Sequence, residues 1–169
     1  MKVLEQVRSL SLPDCWVAAG FIRNMVWDVL HNQPKSALND IDVIYYDPTD
    51  ENHSLGYCAT EQLNSMEPSI NWEVKNQAFM HLRNGDSPYQ SSEHAMSFWP
   101  EKETAVGARM NADGSLEISA PFGTSSLLAG LISHNSKRDI ETFNHRVQSK
   151  GWLSKWPGLR VEPQQSKLS

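Results

Sequence analysis

The sequence predicts a mixed α/β or α+β fold. Helix-like and strand-like patterns alternate along the chain, and no internal repeat is visible. With 169 residues, of which 39% are hydrophobic, the chain can bury a core as one compact domain. We expect this domain to span residues 1–162 and to be followed by a flexible tail at residues 163–169, which begins with Pro163 and is mostly polar.

The alternation is clearest in the first half of the chain. Hydrophobic periodicity and composition predict helices at residues 3–10, 21–31 and 51–66, and strands at residues 15–19, 40–46 and 70–74. The face of the second helix that is expected to pack against the core consists of Ile22, Val26, Val29 and Leu30.

The second half of the chain continues with shorter elements. Helices are predicted at residues 91–99, 124–132 and 137–150, and a hairpin is predicted to pair residues 104–110 with residues 116–120. Gly114 supplies the positive φ that the hairpin turn requires. From Pro157 onward we expect an irregular segment, whose start Trp152 and Trp156 anchor to the body.

Charge and hydropathy exclude several classes of protein. The chain has 15 basic and 20 acidic residues, and its net charge of −5 argues against a protein that holds nucleic acid mainly by electrostatics. No DNA-reading motif is present. The longest apolar run, residues 15–22, is too short to cross a bilayer, so we expect no membrane partner and a cytoplasmic protein. We interpret the excess of basic residues near the C-terminus as a solvated helix face.

Two aspartates are the first candidates for chemistry. Asp40 and Asp42 are one residue apart on a predicted strand, so both side chains project to one face while Ile41 and Val43 face the core. Carboxylates this close repel each other unless a cation lies between them, and hard oxygen ligands suit Mg²⁺. The pair therefore indicates a metal–phosphate site, although two unrelated acids at a strand end would give the same short pattern.

A second feature lies upstream of the aspartates. Gly20 stands where a predicted strand meets a predicted helix, and Arg23 falls in the first helical turn. A helix N-terminus offers backbone N–H groups and the positive end of the helix dipole, and glycine allows phosphate oxygens to approach the backbone. Together with the aspartates, Gly20 and Arg23 could bind a triphosphate.

These motifs carry a resemblance to a known group of proteins. The segment Ala19-Gly20-Phe21-Ile22-Arg23-Asn24, followed by Asn39-Asp40-Ile41-Asp42-Val43, resembles the nucleotidyltransferase superfamily typified by DNA polymerase β and the tRNA CCA-adding enzymes. The runs at residues 39–46, 72–81 and 120–123 resemble a bacterial family of small, uncharacterised nucleotidyltransferase-like proteins. This resemblance extends from about Leu12 to Val161.

The resemblance implies a minimal palm, in which helices pack on a mixed β-sheet, and an enzyme that transfers a nucleoside monophosphate from a nucleoside triphosphate. It assigns Asp40, Asp42 and Glu73 as catalytic metal ligands for Mg²⁺, with Mn²⁺ as an alternative. Glu73 is the candidate third carboxylate because it lies on the next predicted strand, on the face opposite to Trp72 and Val74. Gly20, Arg23 and Lys75 are the expected nucleotide-binding residues.

The sequence departs from the resemblance at a few positions. Ala19 stands where many relatives have the first glycine of a pair, and Asn24 stands where CCA-adding enzymes have an aspartate. Phe79 stands where a basic residue is expected.

Two alternatives to the nucleotidyltransferase remain open at this point. A non-catalytic nucleotide-binding or regulatory module on the same fold would gain support if Glu73 lay outside the site. A glycosyltransferase could use the two aspartates to hold a nucleotide-sugar. The hydroxyl acceptor of the leading hypothesis could be a small molecule, a protein or RNA.

Overall fold

The fold consists of short helices around a central β-sheet. A computed structural model of the protein describes residues 1–37 and 40–163, so Asn39 and almost all of the predicted tail lie outside it. The helices are α1 Lys2–Ser9, α2 Gly20–Leu30, α3 Ser54–Met66, α4 Met80–Asn84, α5 Ser92–Met96, α6 Ser125–Leu128, α7 Ile140–Ser149 and α8 Trp152–Lys155. The strands are β1 Trp16–Ala18, β2 Ile41–Tyr45, β3 Trp72–Asn76, β4 Gly107–Met110, β5 Leu116–Ser119, β6 Leu131–Ile132 and β7 Arg160–Val161.

The central sheet is mixed, as the sequence predicts. Five strands lie in the order β3-β2-β1-β4-β5. β1 runs antiparallel to both of its neighbours, β2 and β3 are parallel, and β4 and β5 form the predicted hairpin, whose turn contains Gly114 at a φ of +82°. β3 is an edge strand of this sheet.

The hydrophobic core is divided unequally between the two faces of the sheet. Alternation along β2 sends Ile41 and Val43 into the larger core, with exposures of 4% and 0%, where they pack with residues of α1 and the C-terminal helices. On the opposite face, Ile44 packs with Trp16 and Ala18 in a smaller cluster that includes α5. Because this second core covers only part of its face, Asp42 projects beside it into a cleft.

The predicted core face of α2 is wrong over its second half. Val29 and Leu30 are 72% and 42% exposed, whereas Trp27 and Asp28 are buried. The reason is a long-range contact, because Trp156 near the C-terminus packs on Trp27 at a centroid distance of 5.2 Å. That partner rotates the buried side of the helix away from the aliphatic stripe.

The C-terminal region is more regular than the sequence predicts. The predicted helix at 124–132 ends at Leu128, because Gly130 adopts a φ of +67° and Leu131–Ile132 form β6 instead. β6 pairs in parallel with β7, so the segment after Pro157 is ordered through Val161 rather than irregular. Two-residue strands carry almost no local pattern, and only their pairing defines them.

Within the residues that the structure describes, no helix combines the length and apolar character needed to cross a membrane.

The carboxylate of Asp28 connects α2 with Ser36, in the segment after the helix, and with Trp156, which directly follows α8. It accepts hydrogen bonds from the Ser36 amide at 2.7 Å, the Ser36 hydroxyl at 2.6 Å and the Trp156 indole at 3.0 Å. Burial opposes ionisation of this group, but the hydrogen bonds from Ser36 and Trp156 lower the pKa of Asp28 overall. Asp28 therefore fixes Ser36 relative to α2 and Trp156.

We expect Asp28→Asn to lower the free energy of unfolding by about 2 kcal/mol at pH 7, because an amide cannot accept all three donors. A lowered folded-state pKa stabilises the protein above the unfolded value of about 4, and this contribution is lost as the pH falls through the folded value. The difference between the wild type and Asp28→Asn should therefore shrink in urea titrations at pH 3. Glu61→Gln, at an exposed position of α3, is the control and should change the free energy of unfolding at neither pH 7 nor pH 3. An equal difference at both pH values would contradict the assignment.

Candidate active site

The sheet register brings the three predicted carboxylates to one cleft. Asp42 is paired with Ala18 of β1 on one side and with Glu73 of β3 on the other, and Asp40 lies just before β2. All three acids line a cleft of about 400 Å³. Asp40 is exposed, and the Asp42 side chain is 30% exposed. The predicted orientation of Glu73, away from the face of Trp72 and Val74, is therefore what the structure shows.

Burial and like charge both act on the central carboxylate. Burial raises the pKa of Asp42, Lys75 lowers it, and the neighbouring charges of Asp40 and Glu73 raise it. The net effect is an upward shift in the pKa of Asp42. A cation that approaches Asp42 therefore stabilises the charged form of its carboxylate.

Lys75 is the cation that contacts these carboxylates in the structure. Its ammonium group forms an ion pair with Glu73 and lies 3.8 Å from Oδ1 of Asp42. Glu73 and Lys75 are two residues apart on β3, so both project from the same face of the sheet. In the described ranges, no three His, Cys, Asp or Glu side chains converge closely enough to hold a metal ion as they stand.

The turn between β1 and α2 differs from its prediction in one respect. The positive φ lies at Ala19, at φ 54° and ψ −122°, whereas Gly20 is the first residue of α2. This conformation is one that glycine adopts readily and alanine only with strain. Ala19 lines the cleft, and it provides no side-chain cap for the helix. The first N–H groups of α2 therefore lie beside the cleft without a capping side chain.

Arg23 lies beneath the cleft rather than in its wall. It is 7% exposed, and burial lowers its pKa to about 10. Nη1 donates to Oγ1 of Thr104 at 2.7 Å, and Nη2 and Nε donate to Oδ1 of Asn24 at 3.0 and 3.2 Å. The guanidinium also stacks over Trp152 at 4.5 Å. Arg23 is thus a buried positive charge whose hydroxyl partner, Thr104, lines the cleft.

Helix α7 contributes basic residues to the cleft, whereas the sequence predicts that these residues form a solvated helix face. Arg146 and Lys150, four residues apart at the end of α7, line the cleft together with the carboxylates. Glu101, whose side chain is 1% exposed, holds Arg146 through bonds of 2.5 Å to Nε and 3.2 Å to Nη2. The spacing of four residues indicates a shared helix face, but no local signal connects that face to β2.

The remaining candidates divide between the cleft and other parts of the fold. Trp99 and Gln77 line the cleft, whereas Trp72 is buried in the larger core. Nδ1 of His81 donates to the Ala78 carbonyl, 2.8 Å away, and the His81 ring lies edge-to-face against Tyr89. A second groove of about 380 Å³ adjoins the cleft along the edge of β3 and shares Glu73, Lys75 and Met80 with it.

Comparison with known proteins identifies the class to which this fold and cleft belong. Residues 5–161 match the sequence profile of a family described as nucleotidyltransferase. The match spans nearly the whole chain, and the protein belongs to that family of enzymes.

Solved structures agree with this classification. An NMR structure described as revealing a CCA-adding enzyme head domain is 33% identical to this chain, with a TM-score of 0.84, and the match covers 97% of this chain and 89% of that one. A CCA-adding enzyme in complex with CTP is 13% identical, with a TM-score of 0.62, over 96% of this chain and 40% of that one. The Thermotoga maritima CCA-adding enzyme complexed with tRNA is 12% identical, with a TM-score of 0.60, over 96% and 38%.

The two CCA-adding enzyme complexes share the fold with this protein, at an identity that shows the fold alone. This chain spans about 40% of the length of the enzyme bound to CTP. A search of the curated proteins found no match.

The strain at Ala19 gives a stability prediction. We expect Ala19→Gly to raise the free energy of unfolding by about 1 kcal/mol, because glycine adopts this φ and ψ without a steric penalty. Ala18→Gly, one residue earlier in β1, is the matched control and should lower stability by about 1 kcal/mol, because it adds backbone freedom without relieving strain. Urea titrations of both variants check the pair. A loss of stability in Ala19→Gly would show that the turn is not strained.

Proposed function

We propose that the protein is a Mg²⁺-dependent nucleotidyltransferase that transfers a nucleoside monophosphate from a nucleoside triphosphate to a hydroxyl acceptor. The observation that carries the proposal is the pairing of Asp42 with Glu73 beside the Ala19–Gly20 turn, in a cleft that Asp40 also lines. One end of the sheet thus combines oxygen ligands for a cation with the N-terminus of a helix.

The donor set fits a divalent cation. Asp40, Asp42 and Glu73 offer carboxylate oxygens, the ligands that Mg²⁺ prefers, and the ammonium of Lys75 already occupies the position of a positive charge between two of them. Asp40 and Asp42, with Glu73 as the third carboxylate, would hold the cation. When bound, Mg²⁺ neutralises phosphate charge and favours ionisation of the attacking hydroxyl.

The other groups of the cleft suit the remaining parts of a nucleotide. The uncapped amides at the start of α2 can donate to phosphate oxygens, and Arg146 and Lys150 face the same space with positive charge. Trp99 presents an aromatic ring on which a base can stack.

In the reaction, the acceptor oxygen attacks the α-phosphorus. The bond between the α-phosphorus and the oxygen that bridges it to the β-phosphate breaks, and pyrophosphate leaves. The hydroxyl proton passes to a cleft carboxylate or to solvent.

Glu73 also bears on the alternative of a non-catalytic nucleotide-binding module. That module needs no third carboxylate, so the position of Glu73 distinguishes it from the transferase. Glu73 lies directly opposite Asp42 in the register and lines the same cleft. A third carboxylate at this position supports the transferase, because a binding module gains nothing from adding a third repelling charge to the cleft. The three acids would have to draw closer together to bind one cation jointly.

Label transfer tests the proposal. Each of the four α-labelled nucleoside triphosphates is incubated with Mg²⁺, the protein, and cell extract separated into protein, RNA and small-molecule fractions. We expect the wild type to label one fraction and Asp40→Asn/Asp42→Asn to label none, because the amides remove two negative ligands of the cation. Glu51→Gln/Glu61→Gln removes two exposed carboxylates elsewhere and should transfer label like the wild type.

The folding of the variants separates loss of chemistry from loss of structure. Asp40→Asn/Asp42→Asn should melt at the same temperature as the wild type or higher, because it relieves repulsion among carboxylates. Metal-dependent nucleotide binding without transfer to any fraction would contradict the transferase and leave the binding module. Equal transfer by the wild type and the double variant would refute the assignment of the aspartates.

Gly20→Ala tests phosphate binding at the start of α2. An added Cβ would lie 3.6 Å from Nη2 of Arg23 and 3.7 Å from Nδ2 of Asn24, which are ordinary contacts, so the fold should tolerate it. Stability should stay the same or rise by about 0.5 kcal/mol, because alanine is the better helix former. Affinity for Mg²⁺–nucleotide should fall about tenfold, because the methyl group takes space that a phosphate oxygen needs. Unchanged affinity by calorimetry would exclude phosphate binding at this position.

A further inference from the structure

Lys75 differs from the other basic residues of the cleft in what it touches. Arg146 is held by Glu101, and Lys150 has no ion-pair partner within the described residues. Lys75 alone among the three contacts the candidate cation ligands, through its ion pair with Glu73 and its 3.8 Å approach to Asp42. This position would be unusual for a residue whose only role is to bind phosphate, because its charge is already engaged.

The contacts of Lys75 offset a repulsion that the fold creates. Asp42 and Glu73 are directly opposed on adjacent strands, an arrangement that is destabilising for like charges. The ammonium of Lys75 offsets this repulsion, because it pairs with Glu73 and lies 3.8 Å from Oδ1 of Asp42. Without a bound divalent cation, the ammonium of Lys75 therefore supplies the positive charge that stabilises the neighbouring carboxylates of Asp42 and Glu73.

The same contacts make Lys75 a competitor of a divalent cation. A cation bound to Asp42 and Glu73 would require the oxygens that now face the ammonium. Lys75 has room to move away, because its side chain is 40% exposed and borders both the cleft and the groove along β3. Its flexible four-carbon stem can carry the charge several ångströms without moving the backbone.

We infer that Lys75 is a displaceable counter-ion, which occupies the carboxylates of Asp42 and Glu73 in the cation-free protein and transfers to the nucleotide phosphates when a divalent cation binds. This inference rests on the proposed function for the identity of the cation ligands. It adds a coupling between the binding of the cation and the binding of the nucleotide, because the cation must displace Lys75 and the nucleotide provides the displaced ammonium with a new partner. A divalent cation alone binds weakly, and nucleotide strengthens its binding.

Mn²⁺ titrations followed by electron paramagnetic resonance test this coupling. We compare the wild type with Lys75→Met, which keeps the aliphatic stem and removes the charge, with and without non-hydrolysable analogues of ATP and CTP. Lys150→Met is the matched control, because it removes the same charge from the same cleft without touching Asp42 or Glu73.

The inference predicts opposite effects of Lys75→Met on the affinity for Mn²⁺ alone and on the gain in that affinity that nucleotide produces. Without nucleotide, Mn²⁺ should bind Lys75→Met about tenfold more tightly than the wild type, because the competing charge is gone. The gain in Mn²⁺ affinity that nucleotide produces should be about tenfold smaller in Lys75→Met than in the wild type. Lys150→Met should bind Mn²⁺ alone like the wild type. The cation-free Lys75→Met should also melt at a lower temperature, and Mn²⁺ should restore it.

Each other outcome overturns a defined part of the account. Equal or weaker binding of Mn²⁺ alone to Lys75→Met would show that Lys75 is not a counter-ion. If Lys75→Met fails to fold, Lys75→Gln, which keeps a polar group, replaces it in the same measurement. Tighter Mn²⁺ binding in Lys150→Met to the same extent would show a general charge effect instead. Mn²⁺ binding that survives in Asp40→Asn/Asp42→Asn would refute the cation ligands themselves, and with them the proposed function.

Discussion

The register of β2 against its two neighbours determines the position of every acidic group in the cleft. Antiparallel pairing opposes Ala18 to Asp42, and parallel pairing opposes Asp42 to Glu73. Since side chains alternate along a strand, a shift of one residue would turn Asp42 into the larger core and expose Val43. The apolar residues Ile41 and Val43, which are almost fully buried, oppose such a shift. The packing of the core therefore fixes the geometry of the site.

The cleft concentrates charge that the fold must compensate. Carboxylates of β2 and β3 repel each other, and Lys75 and the buried Arg23 supply opposing charge. Arg23 is buried and without an ion pair in the described part of the chain, so its stability depends on Thr104, Asn24 and the ring of Trp152. A site of this kind costs stability that the larger core offsets, which is common where function requires unfavourable local arrangements.

The sequence was sufficient to predict the central strands and the acidic candidates, because both depend on local alternation. Asp40 and Asp42 stand out by their spacing, and the face of Glu73 follows from its neighbours Trp72 and Val74. Contacts between distant segments could not be predicted in the same way. Trp156 sets the buried face of α2, and the pairing of β6 with β7 defines two strands that have no pattern of their own.

The same limit applies to the basic side of the cleft. Arg146 and Lys150 are about a hundred residues from Asp42 along the chain, and only tertiary packing brings α7 to the cleft. The resemblance to nucleotidyltransferases predicts that Lys75 binds nucleotide, whereas its contact with Glu73 and Asp42 is visible only in three dimensions. The strain at Ala19 also required the structure, because the sequence suggested Gly20 as the turn residue.

The most direct test of the account is the anomalous scattering of Mn²⁺ in crystals grown with a non-hydrolysable nucleotide analogue. The account predicts a Mn²⁺ peak coordinated by Asp40 and Asp42, with Glu73 beside it and the triphosphate against the Ala19–Gly20 turn. A nucleotide bound elsewhere, or bound in this cleft without Mn²⁺ at the aspartates, would contradict it.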